Sequence, residues 1–74
     1  MKETEITLLR YWFDTYYQAH EQKYRRFIDL GIKCDDGSEP KDKLKDLYEE
    51  AEIKRKRIQE LEIEIGEDNG SNNN

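Results

Sequence analysis

The chain has 74 residues, of which 42% are charged and 34% hydrophobic, and its formal net charge is −5. A domain of this length buries only about 60% of the surface of its unfolded chain, so its own core gives marginal stability. The negative charge argues against nonspecific binding to nucleic acid or to an anionic membrane, and no apolar run approaches the ~20 residues of a membrane span.

Small proteins usually compensate for a small core with disulfides, a bound metal or oligomerisation. Cys34 is the only cysteine, which rules out an internal disulfide, and one cysteine with one histidine argues against a tetrahedral zinc site. We therefore expect no metal, no cofactor and an oligomer. No hydrophobic signal segment follows the first residues, so the expected compartment is the cytosol, which suits a free thiol.

The first predicted helix spans about residues 4–30 and carries all the aromatic side chains except Tyr48. At 100° per residue, one face is apolar and aromatic: Ile6, Leu9, Phe13, Tyr16, His20, Tyr24 and Phe27. Further side chains widen this face on both flanks: Leu8, Trp12, Tyr17, Ala19, Ile28 and Leu30. The resulting arc of roughly 200° is twice the roughly 100° that a surface helix needs, so one neighbouring helix does not cover it.

Both ends of this helix carry residues that are typical of helix boundaries. The hydroxyl of Thr4 is a candidate N-cap, and Glu3 and Glu5 lie where the helix dipole favours negative charge. At the other end the sequence predicts a Schellman stop, in which Gly31 takes the left-handed conformation and Ile32 folds back on the last turn.

The connection at residues 31–38 contains aspartates and glycine, which raises the question of a calcium loop. An EF-hand loop has its glycine at the sixth position and a glutamate at the twelfth. Placing Gly37 sixth puts Ile32 first and Lys43 twelfth, and neither is a suitable ligand. The segment is therefore interpreted as a turn.

The second predicted helix spans about residues 39–65, with Ser38 as its N-cap and Pro40 in its first turn. Its apolar stripe covers an arc of roughly 140°: Leu44, Leu47, Tyr48, Ala51, Ile58, Leu61 and Ile65. Two apolar residues fall off this stripe: Ile53 and Ile63. Gly66 is expected to end the helix, and residues 67–74 are expected to form a disordered polar tail.

Two arms of similar length joined by a short loop predict an all-α fold, an antiparallel two-helix hairpin. Folding about the loop pairs residues whose numbers sum to about 71, which sets large side chains against smaller ones, as in Phe13 against Ile58. Tyr16 then lies beside Lys54 and Arg55, where a cation–π contact is expected.

The apolar arc of the first helix needs two or three neighbours, whereas that of the second needs one. A symmetric dimer with both first helices at its centre satisfies both, so we expect the hairpin to dimerise into a four-helix bundle. One set of residues is the candidate interface with the second copy or with another protein: Leu8, Leu9, Tyr11, Trp12, Phe13, Tyr16, Tyr17 and His20. The sequence leaves both partners open.

Catalytic chemistry has little support. His20 is the only histidine, and the serines, Ser38 and Ser71, lie outside the predicted helices, so no nucleophile–histidine–acid arrangement is indicated and no enzyme is expected. His20 and Lys23 interrupt the apolar face of the first helix. The histidine is either a pH-sensitive polar layer or, as we favour, a satisfied side chain that fixes the register.

The only basic run is Lys54–Arg57. Glu50 stands four residues before Lys54, the spacing of a helix-stabilising ion pair, so a salt-bridged surface is favoured over nucleic-acid binding. Carboxylates near the C-terminus suggest the opposite alternative, an acidic mimic of nucleic acid: Glu60, Glu62, Glu64, Glu67 and Asp68. The chain intersperses 13 cations among 18 carboxylates, which breaks up the acidic field that a mimic needs.

The predicted function is that of a non-enzymatic protein-binding module acting through its aromatic helical surface. Such a module is a small regulator, inhibitor or assembly factor, of the kind that bacteria and their phages carry. The alternatives are the acidic mimic, which blocks a DNA- or RNA-binding protein, and a self-assembling structural component. The expected partners are a second copy of the chain and another protein, and neither nucleic acid nor a membrane is expected.

Overall fold

The computed structural model describes the backbone of residues 1–73 and the side chains of residues 1–67. Helix α1 spans Lys2–Trp12, a π-helical turn spans Phe13–Tyr17, and α2 spans Gln18–Leu30. These segments form one unbroken first arm, and α3, Pro40–Asn73, forms the second arm. The arms pack antiparallel in a body of 58 × 18 × 16 Å, which confirms the predicted all-α hairpin. Within residues 1–73, no helix combines the length and the apolarity that crossing a bilayer requires.

The first arm begins earlier than predicted. Helix α1 starts at Lys2, and the carbonyl of Met1 accepts the N–H of Glu5 at 3.0 Å. Thr4 therefore lies inside the first turn and is not the N-cap. Lysine and glutamate are good helix formers, so the helix extends back to the first residue whose carbonyl can accept a bond. Glu3 and Glu5 remain in the first turn, where the dipole favours them.

The end of α2 is the predicted Schellman motif. Gly31 has φ +69° and ψ +28°, the left-handed conformation. Its N–H donates to the carbonyl of Ile28 at 3.1 Å, and the N–H of Ile32 donates to the carbonyl of Phe27 at 3.0 Å. These are the two hydrogen bonds of the motif, so local backbone chemistry ends the first arm at Leu30.

We expect Gly31→Val to lower the free energy of unfolding by about 1–2 kcal/mol or more, because a side chain with Cβ resists the left-handed conformation. A Cβ at this position meets nothing within 4 Å, so the cost is one of backbone conformation. Gly66→Ala is the matched control: it lies inside α3 with open space around it and should gain up to about 1 kcal/mol. Urea denaturation followed by far-UV circular dichroism measures both. A Gly31→Val midpoint equal to that of the parent would show that α2 does not end there.

The second arm begins at Pro40, and Ser38 does not cap it as predicted. The carbonyl of Glu39 accepts a hydrogen bond from the N–H of Lys43 at 3.2 Å. Ser38 is engaged within the loop, where its hydroxyl and its N–H both donate to the carboxylate of Asp36. An ionised acceptor forms the stronger hydrogen bonds, which turns the serine away from the helix end.

Acid should loosen this loop. The hydroxyl and the N–H of Ser38, with the ammonium of Lys43 3.3 Å away, lower the pKa of Asp36 to about 2. Because this pKa lies below that of an unfolded aspartate, about 3.9, the stabilisation is complete above pH ~4 and is lost as the pH falls towards 2. We expect the melting temperatures of the parent and of Asp36→Asn to differ at pH 5 and to converge at pH 2. Parallel curves across this range would contradict the assignment.

The core between the arms is thin. Among residues 1–67, five apolar side chains are less than a tenth exposed: Ile6, Pro40, Leu47, Ala51 and Leu61. Other members of the α3 stripe are half-buried: Leu44, Ile58 and Ile65. Tyr48 departs from the predicted stripe because it lies at the edge of the hairpin, 41% exposed. Ile53 and Ile63 are exposed, as their positions off the stripe predicted.

Helix α3 does not end at Gly66. The glycine has no left-handed backbone, and the helix continues to Asn73, so the predicted end at Ile65 is wrong. Glycine costs only about 1 kcal/mol inside a helix, and no proline follows to force a stop. The predicted disorder of residues 67–74 falls mostly on residues whose side chains lie outside the described set, and Asn74 lies outside it entirely. That part stays a prediction.

Ion pairs join the two arms at the open end of the hairpin. A guanidinium nitrogen of Arg10 lies 2.7 Å from the carboxylate of Glu62. Arg57 donates to both carboxylate oxygens of Glu5, at 2.7 and 3.2 Å. This two-point contact holds the pKa of Glu5 below its usual range and raises that of Arg57. A bidentate pair also fixes the relative position of the arms better than a single contact does.

Contacts between the arms scatter about the predicted register: Arg10 pairs with Glu62, close to the predicted sum of about 71, whereas other contacts join residues with lower sums. The ammonium of Lys54 lies 4.8 Å from the centre of the Trp12 ring, where the predicted pairing places Gln59. A π-helical turn packs more residues into each turn than an α-helix does.

Candidate protein-binding face

The π-helical turn lies in the middle of the aromatic stretch and decides which rings face α3. Side chains beyond such a turn are rotated relative to those of a continuous α-helix. Tyr17 is half-buried against the second arm, its ring 6.4 Å from that of Tyr48, whereas Tyr16 lines the groove between the arms with Leu47 and Glu50 and is 46% exposed. The sequence predicted Tyr16 at the centre of the face and Tyr17 on its flank. The structure has both rings on the side of the first arm that meets α3, with Tyr17 more buried than Tyr16.

Three aromatic rings pack together on the inner side of the turn: Trp12, Phe13 and Tyr17. Cations of α3 lie over all three, and the centre of the Tyr17 ring is 5.7 Å from the guanidinium of Arg55. Lys54 is 4.8 Å from the centre of the Trp12 ring, and the guanidinium of Arg55 is 5.1 Å from that of Phe13. The expected cation–π contacts between the arms are present, but on these inner rings and not on Tyr16.

His20 is held by Tyr16, one turn before it. Its Nδ1 lies 2.8 Å from the carbonyl oxygen of Tyr16, and the two rings stack with centroids 3.8 Å apart. A carbonyl oxygen only accepts, so Nδ1 carries the proton. The half-buried histidine thus has a hydrogen-bond partner, which favours the structural interpretation. Its role as a pH switch stays a prediction.

Glu21 joins two tyrosines across the arms, a cluster that the sequence did not predict. The hydroxyl of Tyr48 donates to Oε2 of Glu21 at 3.0 Å, and that of Tyr17 donates to the same oxygen at 3.3 Å. Burial, and then the bond to the carboxylate, raise the pKa of Tyr48. The four-residue spacing of Tyr17 and Glu21 in the sequence is compatible with the hydrogen bond between their side chains. The contact of Tyr48 with Glu21 could not be read from the sequence, because it depends on how the two arms pack.

The side of the first arm that points away from α3 carries an exposed strip, here called the outer face: Leu8, Tyr11, Thr15 and Ala19. Leu8 and Tyr11 are 64% and 66% exposed, whereas Thr15 and Ala19 are small. Trp12 borders the strip, and its ring stacks 5.6 Å from that of Tyr16, which lies on the side towards α3. The outer face is therefore apolar and aromatic at one end and flat at the other.

The structure divides the eight predicted interface residues into two groups. One group is exposed: Leu8, Tyr11 and Tyr16. The other is half-buried within the hairpin: Leu9, Trp12, Phe13, Tyr17 and His20. The second group helps to hold the arms together, so within residues 1–67 the first group is the better placed to meet a partner. The interface itself stays a prediction.

Several charges outside this face are paired, among them those of the acidic segment. The predicted pair of Glu50 with Lys54 is present, at 3.5 Å. Three carboxylates of the acidic segment pair with cations: Glu60 with Arg57, Glu62 with Arg10, and Glu64 with Lys2. Paired charges of alternating sign form neither a cationic groove for phosphate nor an unbroken acidic field. This arrangement lends no support to nucleic-acid binding or to mimicry.

A shallow groove of about 440 Å³ lies at the open end of the hairpin, lined in part by Ile6 and Ile65. Arg10 and Glu62 also line it and satisfy each other, so it presents few free polar groups to a small molecule. Within the described part of the chain, no three His, Cys, Asp or Glu side chains are grouped to hold a metal ion.

Comparisons with known proteins gave no match among protein family models, curated proteins or solved structures.

Proposed function

We propose that the chain is a non-enzymatic protein-binding module and that it binds through the outer face. The observation that carries this proposal is the exposure of two large neighbouring side chains on this face, Leu8 and Tyr11, about two thirds each. Single exposed apolar residues are ordinary, but a contiguous apolar and aromatic strip is typical of interaction sites. Tyrosine suits such a site because it buries a large area and keeps a polar tip hydrated.

The partner surface that fits best is another helix. Helices pack by setting ridges of side chains into grooves, and Leu8 and Tyr11 form a short ridge. Thr15 and Ala19, one and two turns further on, leave a shallow depression that admits a side chain from the partner. A module of this kind acts as a regulator, an inhibitor or an assembly factor by covering or bridging a helical surface. The free thiol of Cys34 suits a cytosolic setting.

Affinity capture tests the proposal: the tagged chain is the bait, and proteins are captured from a lysate of the native host. We expect Leu8→Ser/Tyr11→Ser to lose the captured protein, because it removes the two bulky contacts. Ile53→Ser/Ile63→Ser is the matched control, since these residues are equally exposed, 69% and 60%, but lie on the outside of α3. The control should capture as the parent does. Titration of the purified partner then confirms the interaction.

The proposal is wrong if no protein, the chain's own second copy included, binds in a way that depends on Leu8 and Tyr11. It is also wrong if both double variants lose binding equally, because the partner surface then lies elsewhere. Circular dichroism of each variant separates lost binding from lost folding.

A further inference from the structure

The outer face continues along α2 as a row of polar and charged side chains. Its members are all exposed and stand three or four residues apart, the spacing of one helix face: Leu8, Tyr11, Thr15, Ala19, Gln22, Arg26 and Asp29. From Leu8 to Arg26 the row is about 27 Å long at 1.5 Å per residue. The outer face is therefore the apolar half of a longer stripe, and the other half carries charge.

The charged half of this stripe surrounds a hollow of about 610 Å³, here called the cationic hollow, whose lining residues belong to α2. Three of them are cations, Lys23, Arg25 and Arg26, and one is a carboxylate, Asp29. Ala19 belongs to this lining as well as to the outer face, so the hollow adjoins the apolar half directly. Its lining is net positive in a chain whose formal net charge is −5.

The hairpin does not neutralise these cations. Among residues 1–67, no ion pair involves Lys23, Arg25 or Arg26. The ammonium of Lys23 lies over the rings of Tyr24 and Phe27, 5.8 and 5.7 Å from their centres, contacts that leave its charge in place. The three cations therefore remain available to carboxylates of a partner.

We propose that the outer face and the cationic hollow together bind one amphipathic helix of another protein, apolar at one end and acidic at the other. Its bulky apolar side chains pack on Leu8 and Tyr11. Its Asp or Glu side chains bind Lys23 and Arg26, the guanidinium in two-point contact. The apolar and acidic groups of the partner then lie about 20 Å apart, close to four helical turns. This inference rests on the proposed protein-binding function and names the chemistry of the partner.

Other occupants satisfy only part of the stripe. Nucleic acid would place phosphates on the cations and leave Leu8 and Tyr11 uncovered, and Asp29 would repel it. A second copy of the chain sets cation against cation when parallel. When antiparallel, it sets its own Leu8 and Tyr11 over the cationic hollow. Opposite charges fix the register of a partner and exclude wrong ones, so the acidic helix is the occupant that matches both halves.

Selection from a displayed peptide library tests this chemistry. The library contains peptides of about 20 residues on a helix-favouring alanine framework, long enough to span the stripe, and the full chain is the bait. We expect the selected peptides to be enriched in Asp and Glu, about four turns from their bulky apolar residues. Lys23→Glu/Arg26→Glu should weaken their binding about ten-fold or more, because like charges then meet. Selected peptides without this enrichment would overturn the inference.

Lys41→Glu/Lys45→Glu is the matched control. It makes the same change in net charge at two exposed cations of α3 that also have no ion pair among residues 1–67. The control should bind the selected peptides within about two-fold of the parent. Equal weakening by both double variants would show that the peptides sense the overall charge, and the inference would be wrong. Circular dichroism of each variant separates lost binding from lost folding.

Salt gives a second readout that leaves the parent sequence intact. Raising the ionic strength from about 0.1 M to about 1 M shortens the Debye length from about 10 Å to about 3 Å. The affinity of the parent for the selected peptides should fall several-fold, because exposed charge pairs are screened, whereas that of Lys23→Gln/Arg26→Gln should change little. An affinity of the parent that does not respond to salt would contradict the acidic contacts.

Failure of this inference and failure of the proposed function give different results. Binding that depends on Leu8 and Tyr11 but not on Lys23 and Arg26 removes the acidic partner and keeps the protein-binding function. A library that yields no binder dependent on Leu8 and Tyr11 counts against both. Sedimentation equilibrium covers the remaining case: a dimer of the unmodified chain that Leu8→Ser/Tyr11→Ser abolishes would place a second copy on this face and overturn the inference.

Discussion

Leu61→Ala should unfold much of the population at physiological temperature. Leu61 is 1% exposed and is the largest fully buried side chain among residues 1–67. Removing it costs the transfer free energy of its methyl groups and leaves a cavity, together about 2–5 kcal/mol. A core in a chain of this size rarely supplies more than about 3–5 kcal/mol, so one such loss approaches the whole stability. Urea denaturation followed by circular dichroism measures the change.

Ile63→Ala is the matched control, two residues further along the same helix. Ile63 is 60% exposed, so its loss should change the free energy of unfolding by no more than about 0.5 kcal/mol. Both substitutions leave alanine in α3, and helix propensity therefore contributes little to the difference between them. Equal losses at Leu61 and Ile63 would mean that the described inner face of α3 is not the core.

The parts of the fold that could be predicted are those that short-range chemistry decides. Gly31 and Ile32 predicted the end of the first arm because glycine is the one residue that enters the left-handed region without cost. The stripe of α3 was predictable because burial follows helical spacing, and Leu47, Ala51 and Leu61 are indeed buried. Two arms and a short loop then allow few arrangements other than a hairpin.

The π-helical turn was not predictable, since no residue type specifies one. Its visible trace is a pair of side chains that bond to carbonyls four residues earlier. The hydroxyl of Thr15 donates to the carbonyl of Tyr11 at 2.7 Å, and Nδ1 of His20 donates to that of Tyr16 at 2.8 Å. Threonine and histidine form such bonds in ordinary helices too, so the signal is weak. The predicted cation–π contacts of Lys54 and Arg55 were accordingly assigned to Tyr16, whereas the structure has them on Trp12, Phe13 and Tyr17.

Two helix boundaries, at Ser38 and at Gly66, were predicted wrongly because two local signals compete at each of them. Ser38 is a good N-cap, but a nearby carboxylate, Asp36, offers its hydroxyl a charged acceptor. Gly66 suits a C-terminal stop, but the same residue is tolerated inside a helix at a cost of about 1 kcal/mol. Sequence alone does not rank effects of this size, because packing elsewhere in the hairpin decides between them.

The sequence predicted the interface residues as one group, and only the structure separates those that α3 covers from those that are exposed. An apolar arc of roughly 200° predicted more than one neighbour for the first arm, and α3 covers one side of it. Phe13 and Tyr17 lie on the covered side, and Leu8 and Tyr11 lie on the open side. This division decides which substitutions should affect folding and which should affect binding. Trp12 lies between the two sides, so its substitution should affect both folding and binding.

Trp12→Ala should lower the free energy of unfolding by about 3 kcal/mol, near the lower limit for a buried tryptophan because the ring is half-buried. Its ring packs edge to face on Phe13, with centroids 5.0 Å apart, and stacks on Tyr16 at 5.6 Å. Trp12→Phe keeps an aromatic ring in place and should lose less than half as much. Guanidinium denaturation followed by circular dichroism compares the two variants.

The contact of Trp12 with Lys54 should be visible as a coupling between the two side chains. The Lys54 ammonium lies 4.8 Å from the centre of the Trp12 ring, and its side chain is only 25% exposed, so water competes weakly for the cation. A double-mutant cycle with Trp12→Leu and Lys54→Met should give a coupling free energy of about 0.5–1 kcal/mol. Arg26→Met supplies the comparison: this cation lies near the end of α2, far from the ring, and its cycle should give no coupling. Equal couplings for Lys54 and Arg26 would show that the ring senses the overall charge of the chain, and the register that places Lys54 over Trp12 would then be wrong.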